Sequence, residues 1–512
     1  MAERWWWELK RPITDVKPGE DYQLKVKREA IPIIFLPGIM GSRLKQKEGG
    51  KKVWDPDSDA FMFLTYGLIW QRGGKKKKRL VGDSYKPDFL EVHEDDKDHN
   101  KKLLPPKAEG EQEGPVERGW GGVMWSSYGT LLEKLADRGT WRDAIAPVGL
   151  FFDLPVYACG YNWTADVTWV AEQLAERINA IIKKHEDQRC RQVILVSHSM
   201  GGIVARAICA QPRVAGKVLG VVHGVQPVHG SGAAYWRMKG GFERETLKEA
   251  TMAWVLGTDG EEVTQTLAEM PGGLALLPNR LYGKEWLEFY DLEQDRVRKL
   301  PASNPYTEIY NQKEPYWRLV NPDWLIGPSK IKSRREGKAD NASPASAWDV
   351  YMRNLGLAET AHAKLEGKLQ HAETHFFSGT GLPSAGAVKF ERAQYFPGPD
   401  EPSPVGLTYH RNGFVTYVER GGEVDSLRMS RPGRGSDDEE MNKGDGTVPL
   451  RSAHALKSEK LGASHDFTLL KEEQTEFKGM AHQTAFSEDE ALKFTANAIR
   501  KLCLQRMKLG GQ

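Results

Sequence analysis

One stretch near the middle of the chain, residues 192–202, constrains the fold more than any other. The apolar run Val193–Val196 leads into Ser197-His-Ser-Met-Gly201, and a segment of helical character follows. Strand, tight turn and helix form the layout of a nucleophile elbow, in which strained backbone pushes a serine hydroxyl clear of the sheet. Small residues two before and two after Ser199 suit this turn, although Ser197 stands where the pattern has glycine. The alternative is an ordinary buried strand with a glycine-rich turn.

Partners for Ser199 are found later in the chain. A serine hydroxyl is a weak nucleophile until a histidine takes its proton and an acid orients that histidine. In folds with this elbow the acid and then the histidine follow the serine. Asp445 is the candidate acid and His482, ahead of the last predicted helix, is the candidate base; His454 and His465 are weaker candidates. Turn chemistry alone also explains the Gly-Asp-Gly sequence around Asp445.

The oxyanion formed during acyl transfer needs two backbone N–H donors. Met200 follows the nucleophile at a helix N-terminus and supplies one of them. The second donor comes from the loop after the early strand Ile31–Leu36, where Gly38 and Ile39 are the candidates. This chemistry needs no cofactor, and we predict no metal site.

Composition, charge and the pattern of apolar residues argue against several other classes of protein. The 512 residues carry a net charge of +2, so no overall field points to nucleic acid. Four cysteines without zinc-type spacing predict reduced, packed thiols. The N-terminus lacks the apolar region of a signal peptide, and no segment approaches the ~20 apolar residues that span a bilayer. We therefore expect a cytoplasmic protein in the producing cell, unless dedicated machinery exports it.

Strand-like and helix-like segments alternate along the chain. Alternation of this kind predicts a mainly parallel sheet with helices on both faces. The strands are expected at Ile31–Leu36, Lys217–Val222 and Thr374–Ser378, and the helices at Tyr128–Leu135, behind a Thr164 cap, and from Ser487 onward.

Six segments follow one another along the chain in a specific order: Ile33–Ser42, Gly160–Trp163, Ser197–Gly201, Phe376–Gly381, Gly444–Val448 and Met480–His482. This ordered set resembles the lecithin–cholesterol acyltransferase-like branch of α/β-hydrolases, which includes lysosomal phospholipase and many bacterial lipases. The resemblance implies an α/β-hydrolase fold, the triad Ser199, Asp445 and His482, and Ile39 as the second oxyanion donor.

Residues 225–238 are also similar to bacterial lipases delivered by type VI secretion. That likeness implies an immunity protein, a secretion-apparatus partner and action in the periplasm of a target cell. The N-terminus suits such an effector and equally suits a cytosolic esterase.

The long interval between Ser199 and Asp445 exceeds what two strand–helix units require. We therefore divide the chain into an N-terminal extension (1–30), a first core part (31–229), a cap insertion (230–372) and a second core part (373–512). The cap would exclude water and build an acyl pocket.

A lid is expected at about residues 53–80. An apolar run, Phe61–Trp70, is followed by the basic cluster Lys75–Arg79. Apolar and basic surfaces together suit an anionic membrane surface, with Phe61, Phe63, Trp70, Lys75 and Lys76 as contact residues. A buried segment followed by a solvated basic loop explains the pattern equally well.

Together these features predict a serine hydrolase of lipid esters, a phospholipase A or a lipase, that acts at a membrane surface. An acyltransferase is the nearest alternative, because it shares the site until an alcohol replaces water. An inactive hydrolase fold that serves as a binding module is the alternative from another class.

Overall fold

The computed structural model describes most of the chain outside the N-terminus, the predicted lid and several connecting segments. The described residues are 28–62, 80–82, 86–95, 101–107, 113–142, 148–242, 257, 259–292, 294–325, 345–392, 408–409, 414–418, 424–430, 443–457, 460–461, 465–466 and 474–509.

Twenty-one strands lie within this part of the chain. They are β1 Glu29–Ala30, β2 Ile33–Leu36, β3 Leu44–Gln46, β4 Lys52–Trp54, β5 Leu90–Val92, β6 Phe152–Asp153, β7 Val156–Ala158, β8 Val193–His198, β9 Val218–Gly224, β10 Leu287–Asp291, β11 Arg296–Leu300, β12 Thr374–Thr380, β13 Leu382–Pro383, β14 Val388–Arg392, β15 Thr408–Tyr409, β16 Phe414–Val418, β17 Val424–Ser430, β18 Lys443–Gly444, β19 Lys460–Leu461, β20 His465–Asp466 and β21 Gln474–Lys478.

The α-helices fall between these strands. Those in the described residues are Asp59–Met62, Trp125–Ala136, Val148–Phe151, Val167–Lys184, Met200–Cys209, Gly232–Gly240, Gly260–Leu267, Pro271–Leu274, Ala345–Leu365, Leu450–Ala453 and Asp489–Leu509.

The central sheet has six strands in the order β21-β12-β9-β8-β2-β7, and every neighbouring pair is parallel. Strand β8 lies inside the sheet, and successive side chains of a strand point to opposite faces. Val193 and Leu195 join one apolar cluster, whereas Ile194 and Val196 join the other. Both faces are therefore buried, as a parallel sheet requires, and the predicted mainly parallel sheet is confirmed.

Helices cover the two faces of this sheet. Val167–Lys184 and Met200–Cys209 contribute to the first cluster, and Trp125–Ala136 and Asp489–Leu509 contribute to the second. The element boundaries differ slightly from the expected ones. Asp166, and not Thr164, caps the helix that begins at Val167, and the last helix begins at Asp489 after a 3₁₀ turn.

A second six-stranded sheet has the order β11-β10-β14-β17-β16-β15. Strand β10 pairs in parallel with β14, with Leu287 opposite Val388. Strands β10 and β11 belong to the predicted cap insertion, whereas β14 to β17 follow β12 and belong to the predicted second core part. The smaller sheet is therefore built from chain on both sides of β12, and its hydrogen bonds cross the predicted boundary at residue 372.

Of the predicted lid, residues 53–62 and 80 are described. Phe61, in the helix Asp59–Met62, is partly buried against the larger apolar cluster, with the Lys52 ammonium 5.3 Å from its ring centroid. The other lid residues, Phe63, Trp70, Lys75 and Lys76, lie outside the described residues, as does most of the N-terminal extension. Among the described helices, none combines the length and apolar character needed to cross a membrane.

Candidate active site

The strand-to-helix turn at Ser199 has the strained backbone expected of a nucleophile elbow. Ser199 has φ 53° and ψ −123° and immediately precedes the helix Met200–Cys209. A Cβ atom at Gly201 would lie 2.4 Å from the carbonyl oxygen of Leu36, so only glycine fits there. At the position where the pattern expects glycine, Ser197 is fully buried, and its Oγ lies 2.8 Å from Nδ1 of His223. A small polar residue is therefore accommodated.

Three residues that are far apart in sequence form one hydrogen-bonded relay. Oγ of Ser199 lies 2.8 Å from Nε2 of His482, and Nδ1 of His482 lies 2.7 Å from Oδ2 of Asp445. A carboxylate accepts the proton of Nδ1, which leaves Nε2 to accept the serine hydroxyl. All three side chains are buried, with exposures of 4% for Ser199, 3% for Asp445 and 8% for His482. The structure brings together the three predicted residues.

The acid is held by its own loop, which follows the short strand β18. Oδ1 of Asp445 accepts hydrogen bonds from the N–H groups of Thr447 at 3.0 Å and Val448 at 2.7 Å, and this leaves Oδ2 for His482. The backbone N–H of His482 also donates to the carbonyl of Asp445, at 2.9 Å. Main-chain and side-chain contacts thus fix the acid and the histidine to each other.

The two weaker histidine candidates lie elsewhere. Nε2 of His454 lies 3.1 Å from a carboxylate oxygen of Glu476. His465 begins β20, where it pairs with Leu461 of β19. The strand before His482 is β21 at Gln474–Lys478.

The loop after β2 lies beside the serine, since a Cβ atom on Gly38 would be 3.1 Å from Cβ of Ser199, and Ile39 borders the same cavity as Ser199. The N–H of Gly38 donates to the hydroxyl oxygen of Tyr128 at 3.1 Å, so it is already engaged. Of the two candidate donors in this loop, Gly38 therefore already has a partner, and Ile39 remains the predicted donor. The indole of Trp54 donates to the carbonyl of Met40 at 2.7 Å and helps to hold the loop. Met200 begins the helix, where N–H groups lack intrahelical acceptors.

Two residues of the site were missed by sequence reasoning. The hydroxyl of Tyr128 lies 3.0 Å from Nδ1 of His198, and Nε2 of His198 lies 2.9 Å from the carbonyl oxygen of His482. Burial lowers the pKa of His198 to about 3, so its ring is neutral at ordinary pH. Its place beside Ser199 was a signal in the sequence; no such signal marked Tyr128, which was assigned only to a helix.

A cavity of about 450 Å³ opens above Ser199 and His482. Most of the side chains around it are apolar, including Trp54, Trp125, Phe242, Leu267 and Leu276. Such a lining suits a hydrocarbon chain better than a polar substrate.

Two side chains of opposite charge also border the cavity, Asp57 and Arg237. The Asp57 carboxylate accepts from the N–H groups of Trp125 and Ser126, at 2.6 Å and 3.0 Å, and so caps that helix. Near the acid loop, the Ser231 hydroxyl donates to the carbonyl of Thr447 at 2.6 Å. Ser231, in the predicted cap insertion, is thereby hydrogen-bonded to the loop that carries Asp445.

Within the described ranges, no three His, Cys, Asp or Glu residues are grouped so that they could hold a metal ion.

Comparison with known proteins agrees with this geometry at the level of the fold. Among solved structures, 23 chains match, and one belongs to the crystal structure of the Tle4–Tli4 complex, with a TM-score of 0.69 and 24% sequence identity over 93% of this chain and 99% of that chain. No sequence among the curated proteins matches significantly. The model of the Alpha/beta hydrolase family matches residues 118–381, slightly more than half of the chain. The protein therefore belongs to the alpha/beta hydrolase family.

Proposed function

We propose that the protein is a serine hydrolase that cleaves carboxylic esters of lipids. The observation that carries the proposal is the relay from Ser199 through His482 to Asp445, with contacts of 2.8 Å and 2.7 Å at the floor of an apolar cavity. Each group has the partner that its chemical role requires.

In the proposed reaction, Oγ of Ser199 attacks the ester carbonyl while Nε2 of His482 takes its proton. The tetrahedral oxyanion is held by the N–H groups of Ile39 and Met200. The intermediate collapses as His482 returns the proton to the leaving alcohol, and an acyl-serine remains. Water, deprotonated by His482, then releases the fatty acid and restores Ser199. Asp445 orients the imidazole and stabilises its charged form.

Phospholipase A and lipase activities share this chemistry, as does an acyltransferase in which an alcohol replaces water. Each activity leaves a different product, so one assay separates them. The purified protein is incubated with a diacyl phospholipid or a triacylglycerol, with and without a long-chain alcohol, and the products are analysed by mass spectrometry. The proposal predicts free fatty acid in both conditions and none from the Ser199→Ala variant. A new ester formed with the alcohol would favour the acyltransferase, and absence of any product would favour the inactive binding module.

We also propose that the protein belongs to the lecithin–cholesterol acyltransferase-like branch and acts as a peripheral protein at a membrane surface. Its proposed site of action is the periplasm of a target cell. A protein partner is supported by the similar fold in the Tle4–Tli4 complex. An immunity partner should inhibit hydrolysis when it is mixed with the purified enzyme. Unchanged hydrolysis in the presence of small exported proteins encoded beside the gene would count against this part of the proposal.

A further inference from the structure

A chain of hydrogen bonds joins the loop of Gly38 and Ile39 to the backbone of His482. The carbonyl oxygen of His482 cannot donate, so Nε2 of His198, at 2.9 Å, carries the proton of that contact. In a neutral ring Nδ1 is then an acceptor, and the Tyr128 hydroxyl, at 3.0 Å, donates to it. The same hydroxyl oxygen accepts the N–H of Gly38 at 3.1 Å. Every donor and acceptor in the chain is thus assigned.

Close packing leaves this chain little freedom. Tyr128 is 3% exposed and His198 is 6% exposed. A Cβ atom on Gly38 would lie 2.8 Å from Nδ1 of His198, and one on Gly41 would lie 2.7 Å from the Tyr128 hydroxyl oxygen. Because Gly38 and Gly41 have no side chains, the loop can pack directly against both rings, and the rings in turn set the position of the loop.

The two ends of the chain are groups that the proposed reaction uses. At one end, the peptide N–H after that of Gly38 belongs to Ile39, the proposed oxyanion donor. At the other, the backbone of His482 is clamped by Asp445 at its N–H, at 2.9 Å, and by His198 at its carbonyl. A displacement at either end changes the position of a group that must meet the same reacting carbon.

We infer that Tyr128 and His198 are positioning residues that set the oxyanion loop and the His482 loop relative to each other. The inference rests on the proposed function, because it assigns these roles within that reaction. Neither residue exchanges a proton with the substrate. Their contribution is to hold Ile39 and His482 in the geometry that the transition state needs, so their loss lowers kcat more than it raises KM.

The test compares Tyr128→Phe with Tyr351→Phe as its matched control. Tyr351 is also fully buried and its hydroxyl donates to the carbonyl of Tyr310 at 2.7 Å, but it does not line the cavity. Rates on a short soluble ester are measured per serine titrated with a fluorophosphonate, which corrects for misfolded protein. Tyr128→Phe should lower kcat about 10- to 100-fold with KM within about threefold, comparable with loss of part of an oxyanion hole. Tyr351→Phe should keep the wild-type kcat.

Two substitutions of His198 each break one of its two hydrogen bonds and keep the other. An asparagine amide occupies the place of Nδ1, so His198→Asn keeps the link to Tyr128 and loses the link to His482. A glutamine amide occupies the place of Nε2, so His198→Gln does the reverse. Each should lower kcat. Tyr128→Phe should lower kcat at least as much as His198→Gln, because it removes both the link to His198 and the acceptor of the Gly38 N–H, and the two losses should be less than additive because they share the Tyr128–His198 link. If Tyr128→Phe does not fold, His198→Gln decides the question in its place.

The inference is overturned if the deciding variant keeps its kcat per titrated serine within about twofold of Tyr351→Phe. A loss of thermal stability without a loss of kcat would have the same meaning, since it would show only a packing role. A wild-type protein without esterase activity would instead refute the proposed function. The two failures are therefore distinguishable.

Discussion

Oγ of Ser197 and Nδ1 of His223 lie 2.8 Å apart and are fully buried side by side on β8 and β9. This contact explains how a serine occupies the position two residues before the nucleophile, where the pattern has glycine. The hydroxyl is bonded to its neighbour in the sheet, so Ser197 has a structural role and Ser199 remains the candidate nucleophile.

Substitution of the two serines should have opposite consequences. Ser197→Ala removes a hydrogen-bond partner from a buried histidine and should lower the free energy of unfolding by about 1–3 kcal/mol while most activity is kept. Ser199→Ala should leave stability nearly unchanged and lower turnover about a million-fold. Chemical denaturation and ester hydrolysis measure the two effects. Inactivity of both variants in folded protein would mean that the elbow is misplaced.

Substitution of the acid or of the base should lower kcat strongly, because each acts in the same relay. Asp445→Asn should lower kcat about ten-thousand-fold, because an amide favours the wrong tautomer of His482. His482→Ala should be at least as damaging. His454→Ala is the control, since that ring lies beside Glu476 and outside the relay; its kcat should stay near the wild-type value. Full activity of His482→Ala would transfer the role of base to another residue.

A buried histidine on β12 should make the fold sensitive to acid. His375 is 1% exposed, and neither ring nitrogen has a hydrogen-bond partner among the residues that the structure describes. Burial, followed by the charge of Lys501, lowers its pKa to about 4. Between about pH 6.5 and 4 the unfolded chain binds a proton that the folded protein does not. Stability is therefore complete above pH 6.5 and falls as the pH decreases through this window.

His375→Leu should remove that component. When the pH is lowered from 8 to 5, the wild type should lose about 2 kcal/mol of unfolding free energy that the variant keeps, because each pH unit below 6.5 is worth about 1.4 kcal/mol. The difference in unfolding free energy between variant and wild type should therefore shift by that amount in favour of the variant. Denaturation curves at the two pH values measure the shift. An equal difference between variant and wild type at both would contradict the assignment.

The lid proposal predicts a difference between substrates. Changing Phe61, Phe63 and Trp70 to Ser should lower activity on vesicles far more than on a short soluble ester. Changing Lys75–Lys78 to Gln should weaken vesicle binding, most clearly at low salt. Because Phe61 is partly buried against the core, its substitution should also lower the melting temperature. Equal losses on both substrates would indicate that the segment belongs to the core.

Local motifs in the sequence were enough to predict a mainly parallel sheet and the three residues of the relay. Val193–Val196 is apolar on both faces, which is typical of an interior parallel strand, and the elbow places Ser199 at its end. Asp445 and His482 followed from chain order and from glycine-containing loops. Each residue of the relay is marked by a short motif of its own, although the three lie far apart in the sequence.

Features that depend on distant contacts could not be predicted in the same way. Asp57 caps the helix that begins at Trp125, 68 residues away, and no local pattern announces such a cap. Strands β10 and β14 are separated in the sequence by β12, which belongs to the other sheet, and their pairing likewise arises from tertiary packing. Tyr128 and His198 were missed for the same reason, since their hydrogen bonds link a helix, the end of β8 and the loops of Gly38 and His482, which are far apart in sequence.

The central claim is that Ser199 is an activated nucleophile, and labelling by a fluorophosphonate tests it most directly. The reagent forms a covalent bond only with a serine whose proton is removed by a base, and peptide mass spectrometry locates the adduct. We predict a single adduct on Ser199 in the wild type, none in Ser199→Ala, and much slower labelling in Asp445→Asn. An unlabelled wild-type protein, or an adduct on Ser197, would contradict the account.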